Sequence, residues 1–297
     1  MGESISPPPE LDPGLSLLVA ASRSPMRDLL PRAASAVVLV ALALATLWAG
    51  GIWFGLFWLA ASVAIVWEWQ RMVGGNHPRA RLLFGVLFVV LAADRMVDLA
   101  LDFALFLTLL GCAVTALLAG SSKRVWNAAG VAYAAALILS VALLRLSVFY
   151  GWQSIIWLFA VVWVTDVMAF FGGRLIGGPK LWPRVSPKKT WSGFVTGVTC
   201  GAVSGSLVIL MCVGWTLFSP LPVFALCLAA AIISQGGDLF ESGLKRTFDV
   251  KDSSHLIPGH GGVMDRLDGF IAAAVFAAVI GVARAGVLAA GQGLFQW

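Results

Sequence analysis

The sequence predicts an all-α integral membrane protein of about nine transmembrane helices with its N-terminus in the cytoplasm. Three observations predict it. Of 297 residues, 60% are hydrophobic and 12% charged, with a mean hydropathy of +0.91, whereas soluble domains carry about 25% charged residues. The apolar residues gather into runs close to the roughly 20 residues that a helix needs to cross a bilayer. The basic residues, finally, fall almost entirely on one side of the resulting topology, and this matters more than the net charge of +5.

Residues 1–30 read as a flexible cytoplasmic tail, with SPPPE and DPG and an early acidic Glu3 in place of a basic segment. The apolar piece 15–21 is too short to span, so no cleaved signal peptide is expected. Residues 31–297 form the polytopic domain. Its spans are placed at 33–50, 52–70, 82–98, 99–119, 126–147, 152–172, 193–215, 221–243 and 268–290. Asp94, Arg95 and Asp98 interrupt the apolar stretch 81–120, so the number of crossings there follows from charge.

With the N-terminus inside, the cytoplasmic face receives Arg23, Arg27 and Arg32, then Arg71, Arg79 and Arg81, then Lys123 and Arg124. Later loops on that face carry Arg174, Lys180, Arg184, Lys188 and Lys189, then Lys245, Arg246, Lys251 and Arg266. Seventeen of the twenty Lys and Arg thus share one side, leaving Arg95, Arg145 and Arg284. That is the positive-inside pattern, and only two crossings between Arg81 and Lys123 preserve it. The opposite loops, at 50–51, 150–151 and 219–222, carry no charge. Cys112, Cys200, Cys212 and Cys227 all lie in apolar runs without metal-ligand spacing. They read as buried thiols, not as a disulfide frame or a zinc site.

Two cytoplasmic stretches hold the chemistry, 166–193 and 235–268. The second carries six of the fifteen acidic residues and two of the three histidines. Asp238, Glu241, Ser242 and Lys245 recur at helical spacing and share one face. Asp265 and Asp268 do the same at the start of the last span. With Asp238 they offer the hard oxygen ligands that magnesium prefers; for Asp265 alone, complementing a helix N-terminus is the competing reading. His255 and His260 read either as loop residues or as direct participants, His260 within a glycine-rich turn. In the first stretch, Asp166 lies inside an apolar helix, where a carboxylate needs a partner or a function. Gly172, Gly173, Gly177 and Gly178 flank Arg174 and would let the backbone approach a ligand. Ser186, Lys188, Lys189 and Thr190, brought together in one turn by SPKKT, suit a phosphate group; holding the loop at an anionic leaflet is the alternative for the two lysines.

The stretch 242–268, SGLKRTFDVKDSSHLIPGHGGVMDRLD, resembles the signature of the phosphatidate cytidylyltransferase, or CDP-diacylglycerol synthase, family. That signature runs S-x-x-K-R-x4-K-D-x4-[LI]-P-G-H-G-G-[apolar]-x-D-R-[apolar]-D. QGGDLFES resembles the family's QxGDLxES, and DVMAFFGGRLIGGPKLWPRVSPKKTWSG its SPKKTxEG-bearing element. Phe170 stands where tyrosine is usual and Ser192 where glutamate is usual. The N-terminal half matches in hydropathy and around residues 32–35 and Glu68.

The resemblance implies transfer of a cytidylyl group from CTP to phosphatidic acid with magnesium, at a site on the cytoplasmic face of the inner membrane. Asp238, Asp265 and Asp268 would hold metal. Lys188, Lys189, Lys245 and Arg246 would neutralise phosphate, while Ser186, Thr190 and Ser242 donate hydrogen bonds, and Arg174 and His260 complete the substrate contacts. CTP, phosphatidic acid and the bilayer are the implied partners, with no nucleic acid; a homodimer is compatible. A CTP-dependent transferase on another lipid phosphate, and a transporter of an anionic solute, are the competing readings. Against the transporter stands the gathering of polar residues on one side, where a pathway would need them through the midplane.

Overall fold

The computed structural model describes residues 25–257 and 261–297. Its long helices follow the apolar runs. They are α1 (Pro25–Ala49), α2 (Gly51–Val73), α3 (Pro78–Arg95), α4 (Leu101–Ala119), α5 (Arg124–Arg145), α6 (Gly151–Leu175), α7 (Trp191–Val213), α8 (Pro220–Thr247) and α9 (Met264–Ala285). Proline at the first position starts α3 and α8, where its missing N–H costs nothing. Glycines in left-handed backbone at 74, 214 and 286 stop α2, α7 and α9.

The chain is a multi-pass membrane protein: among the described residues seven helices are long and apolar enough to cross, α2 and α4 to α9. Among the residues whose side chains are described, α1 contributes the apolar segment Ala34–Ala49, and α3 packs Arg79, Arg81, Asp94 and Arg95 into 18 residues. Between α3 and α4 the chain turns through a short 3₁₀ turn and Leu99 at φ 54°, so two helices occupy this region.

Three expectations need correction. The helix α1 begins at Pro25, inside the stretch read as a tail; residues 1–24 lie outside those described. The last long helix ends at Ala285, not 290, because Gly286 at φ 80° turns the chain back into a short α10 (Ala290–Phe295) packed on α9. And SPKKT is no turn. It forms strand β2 (Ser186–Thr190), paired antiparallel with β1 (Lys180–Trp182) in a hairpin between α6 and α7.

The hairpin's position depends on how α6 and α7 pack. Gly193, Gly197, Gly201 and Gly205 line one face of α7 at four-residue spacing. A Cβ at Gly201 would stand 2.0 Å from Thr165 Oγ1, and one at Gly197 2.5 Å from the Thr165 carbonyl oxygen. Small residues at this period let two membrane helices touch backbone to backbone. Gly172 serves the same contact, since its Cβ would meet Thr196 at 2.6 Å. It therefore admits a neighbouring helix, not the ligand anticipated for it. Across the bundle, Trp58 of α2 stacks on Phe270 of α9 at 4.9 Å, and Phe159 of α6 tilts against the same ring at 5.6 Å. These contacts tie α2, α6 and α9 around one core.

Candidate active site

The two polar stretches, separated by most of α7 and the first half of α8, meet at one cavity of about 620 Å³. From the first come Asp166, Phe170, Arg174, Lys188, Lys189 and Thr190; from the second, Gln235, Asp238, Glu241, Lys245, Asp265 and Asp268.

Hydrogen bonds stitch the walls together. Lys189 Nζ pairs with Asp238 Oδ2 at 2.6 Å and donates to Gln235 Oε1 at 3.1 Å. Gln235 Nε2 donates in turn to Asp166 Oδ1 at 2.9 Å. Strand β2 is thereby fastened to α8, and α8 to α6. The helical face read from sequence is real: Ser242 Oγ donates to Asp238 Oδ1 at 3.3 Å, and Lys245 pairs with Glu241 at 2.5 Å, one turn back. Lys245 also reaches Asp265 Oδ1 at 2.7 Å, joining α8 to α9. The other Glu241 oxygen is buried with no partner among the described residues.

Asp265 has different work from that expected of it. Its Oδ2 accepts hydrogen bonds from Gly262 N at 2.7 Å, Ser253 N at 3.0 Å and Ser253 Oγ at 3.0 Å, while Oδ1 takes Lys245. Both oxygens are thus committed, one to the loop between α8 and α9 and one to Lys245 of α8. Glu68, from the far end of α2 and wholly buried, completes that anchorage. It accepts from Ser253 Oγ at 3.2 Å and Ser254 Oγ at 2.6 Å, and from Val263 N and Met264 N, each at 2.8 Å. The loop closes so tightly that a Cβ at Gly262 would fall 1.9 Å from Ser253 Oγ and 2.5 Å from Glu68 Oε1.

Asp238, Asp268, Lys245, Lys188, Lys189, Thr190 and Arg174 thus face one cavity as anticipated. Thr190 also caps α7, its hydroxyl accepting from Gly193 N at 3.2 Å. Ser242 stands behind Asp238. Ser186 and Arg246 do not line the cavity, and Arg246 is exposed at the end of α8. His260 lies outside the described residues. Ser192, in place of the family's glutamate, donates to the Gly177 carbonyl and meets Thr190 Oγ1 at 3.1 Å. Phe170 is an exposed ring on the cavity wall, with the Arg174 guanidinium 5.9 Å above it. Sequence reasoning left Gln235 and Glu68 out of the site. For Glu68 a signal existed: a carboxylate at the end of an apolar span, the same argument that picked out Asp166.

Among the described residues no three acidic, histidine or cysteine side chains form a ready-made metal cage. Magnesium does not require one, because it keeps several waters and is commonly held by one or two carboxylates plus substrate phosphates. Asp238 and Asp268 fit that mode. They line the cavity with Asp166, and the three carboxylates repel one another there, a repulsion that a cation relieves. Asp265, whose oxygens accept from four protein donors against two at Asp238, fits less well.

Membrane helices enclosing a cavity where carboxylates face lysines define a class, a membrane-embedded enzyme handling phosphate groups. The comparisons with known proteins agree. A cytidylyltransferase family profile matches residues 30–283. The chain is 42% identical to the phosphatidate cytidylyltransferase of Brucella abortus biovar 1 (strain 9-941) over 265 residues, covering 86% of this chain and 94% of that protein. The same figures hold for that of Brucella suis biovar 1 (strain 1330). With that of Staphylococcus haemolyticus (strain JCSC1435) it shares 45% identity over 124 residues, 41% of this chain and 46% of that protein. The chain belongs to the phosphatidate cytidylyltransferase family. Membership makes it a nucleotidyltransferase and sets the transporter reading aside.

Proposed function

We propose that this chain transfers the cytidylyl group of CTP to phosphatidate, forming CDP-diacylglycerol and releasing pyrophosphate, with its cavity open to the cytoplasm. The observation that carries the reading is the meeting of Lys188, Lys189 and Arg174 with Asp238 and Asp268 around one cavity within a bundle of membrane helices. A water-soluble polyanion and a lipid phosphate can be brought together only where a polar site borders hydrocarbon.

A phosphate oxygen of the lipid attacks the α-phosphorus of CTP, the bond to the β-phosphate breaks, and pyrophosphate leaves. The attacking oxygen is already ionised near neutral pH, so positioning and charge neutralisation carry most of the rate. Lys188 and Arg174, both exposed on the cavity wall, draw in the triphosphate. Lys189 holds Asp238 in place until substrate arrives, then shares its charge with phosphate oxygens. The family generally uses a divalent metal. Magnesium, held by Asp238 and Asp268, would neutralise phosphate charge in the transition state. Asp265 keeps Lys245 aimed into the cavity.

The direct test is incubation of purified protein with labelled CTP, magnesium and either phosphatidate or a polyisoprenyl phosphate. Labelled CDP-diacylglycerol from phosphatidate alone is expected. Product from the isoprenoid alone would move the activity to the other lipid class.

Lys188 and Lys189 separate kinetically. Lys188→Ala removes a free charge and is expected to raise KM for CTP about tenfold with kcat retained, the scale of one charged hydrogen bond. Lys189→Ala also strips Asp238 of its partner, so kcat falls as well. If CTP dependence is unchanged in Lys188→Ala, that lysine serves the leaflet instead.

The orientation, nine crossings with the N-terminus inside, is tested by single cysteines on a cysteine-free background. Ser253 and Gly151 are unsuitable hosts: Ser253 is buried in the loop anchorage, and a Cβ at Gly151 would strike the Arg145 carbonyl at 2.4 Å. Ser122→Cys and Leu256→Cys, at exposed positions, are expected to resist an impermeant thiol reagent in intact cells, and Val148→Cys to label. Labelling of Leu256→Cys from outside would invert the topology.

A further inference from the structure

Three arginines stand against the sidedness of the other basic residues, and two of them are answered within the chain. Arg95 pairs with Asp94. Arg284 donates to the Gly293 and Gln296 carbonyls and lies 3.5 Å from the ring centroid of Trp297. Arg145, the last residue of α5, is different. Its Nε is buried with no hydrogen-bond partner among the described residues, and its guanidinium rests 5.6 Å from the centroid of the Phe54 ring. Gly50, at φ +64°, passes so close that a Cβ there would stand 2.8 Å from Arg145 Nη2.

Arg145 lies on the wall of a second cavity, of about 530 Å³, between the first turns of α2 and the last turns of α3 and α5. The rest of the lining is mainly apolar, including Phe54, Leu59, Ile138 and Val141, and its one carboxylate, Asp94, is already paired with Arg95. Ile52 and Leu56 belong to the same wall and are 70% and 48% exposed, so the cavity opens sideways toward hydrocarbon. Its size lies within the roughly 300–1,000 Å³ of small-ligand sites. It is no extension of the catalytic cavity: Ile52 and Glu68 sit sixteen residues apart on α2, about 24 Å along the axis.

A half-buried guanidinium facing an apolar chamber calls for an oxygen-rich anion with an apolar body. We propose that this cavity binds an anionic phospholipid from the leaflet opposite the catalytic cavity, its phosphate paired with Arg145 and an acyl chain lying along Leu59, Ile138 and Val141. The planar fork of arginine suits two phosphate oxygens at once. A zwitterionic lipid offers the same phosphate but brings a cation into a site whose only carboxylate is taken, and this favours the net anion.

The test reconstitutes the full chain in nanodiscs of equal phosphatidylglycerol and phosphatidylcholine and counts retained lipids by native mass spectrometry. Selective retention of phosphatidylglycerol is expected. Arg145→Gln should lower it about tenfold, the scale of one charge-assisted hydrogen bond. Ala142→Leu, which fills the cavity and keeps the charge, should lower retention of both lipids. Turnover of a short-chain phosphatidate in detergent reports that the variants fold, and is expected near the parent value because the two cavities lie far apart. Equal retention of both lipids by the parent chain overturns the proposal without recourse to any variant. So does unchanged selectivity in Arg145→Gln, which would leave the guanidinium serving only the water at the membrane surface. A lipid-free dimer that Ala142→Leu dissociates would name a second copy as the occupant, and would equally end it.

Discussion

Asp238→Asn and Asp268→Asn are each expected to lower turnover by at least a hundredfold while the protein still folds and inserts. Asparagine keeps the size of the side chain and removes the charge that balances Lys189 and a bound cation. Removing one preorganised electrostatic contact to the transition state costs about 2.7–4 kcal/mol, on the order of a hundred- to a thousandfold in rate. Raising magnesium should partly restore the weaker variant, as a lost ligand lowers affinity before it removes geometry. Asp265→Asn is the informative contrast. Its carboxylate accepts from Gly262, Ser253 and Lys245, so its loss should lower thermal stability together with turnover, and magnesium should not rescue it. Full activity in both Asp238→Asn and Asp268→Asn at ordinary magnesium would sink the metal assignment.

Glu68→Ala should be the most damaging change outside the cavity. It strands the Ser254 hydroxyl and the Val263 and Met264 N–H groups, while the Ser253 hydroxyl keeps Asp265. Each unsatisfied buried donor costs about 1–3 kcal/mol, and three together are a large share of the stability of a domain, roughly 5–15 kcal/mol. The cheaper outcome is local release of the loop between α8 and α9, carrying Asp265 and Lys245 out of register. Trypsin should then cut at exposed Lys251, and turnover should be lost with the helices intact by circular dichroism. Glu68→Gln keeps one acceptor oxygen and should fall between. A Glu68→Ala protein that resists trypsin and turns over normally would show that the loop holds itself.

Much of the site was legible before any coordinates. Asp238, Ser242 and Lys245 announce a shared face through spacing alone, since helical geometry links residues three and four apart. Lys188 and Lys189 stand out because charge is scarce in this chain. Gln235 did not stand out, because a glutamine in an apolar run has no local partner to reveal its role, and the signal at Glu68, a carboxylate at the end of an apolar span, names no partner. The partners of Asp265 were hidden for the complementary reason. Its spacing to Asp268 is that of a ligand pair, but the groups that occupy its oxygens come from a loop and another helix.

The apolar helices and their ends at proline and glycine were determined by the sequence itself. Bilayer insertion acts on each segment separately, so hydropathy and flanking charge are enough. The meeting of the two polar stretches was decided by tertiary structure, through the glycine face of α7 against α6 and the reach of Glu68 to a backbone amide 196 residues away. Which carboxylates remain free for substrate depends on hydrogen bonds between helices distant in sequence, and no local pattern encodes a contact of that range.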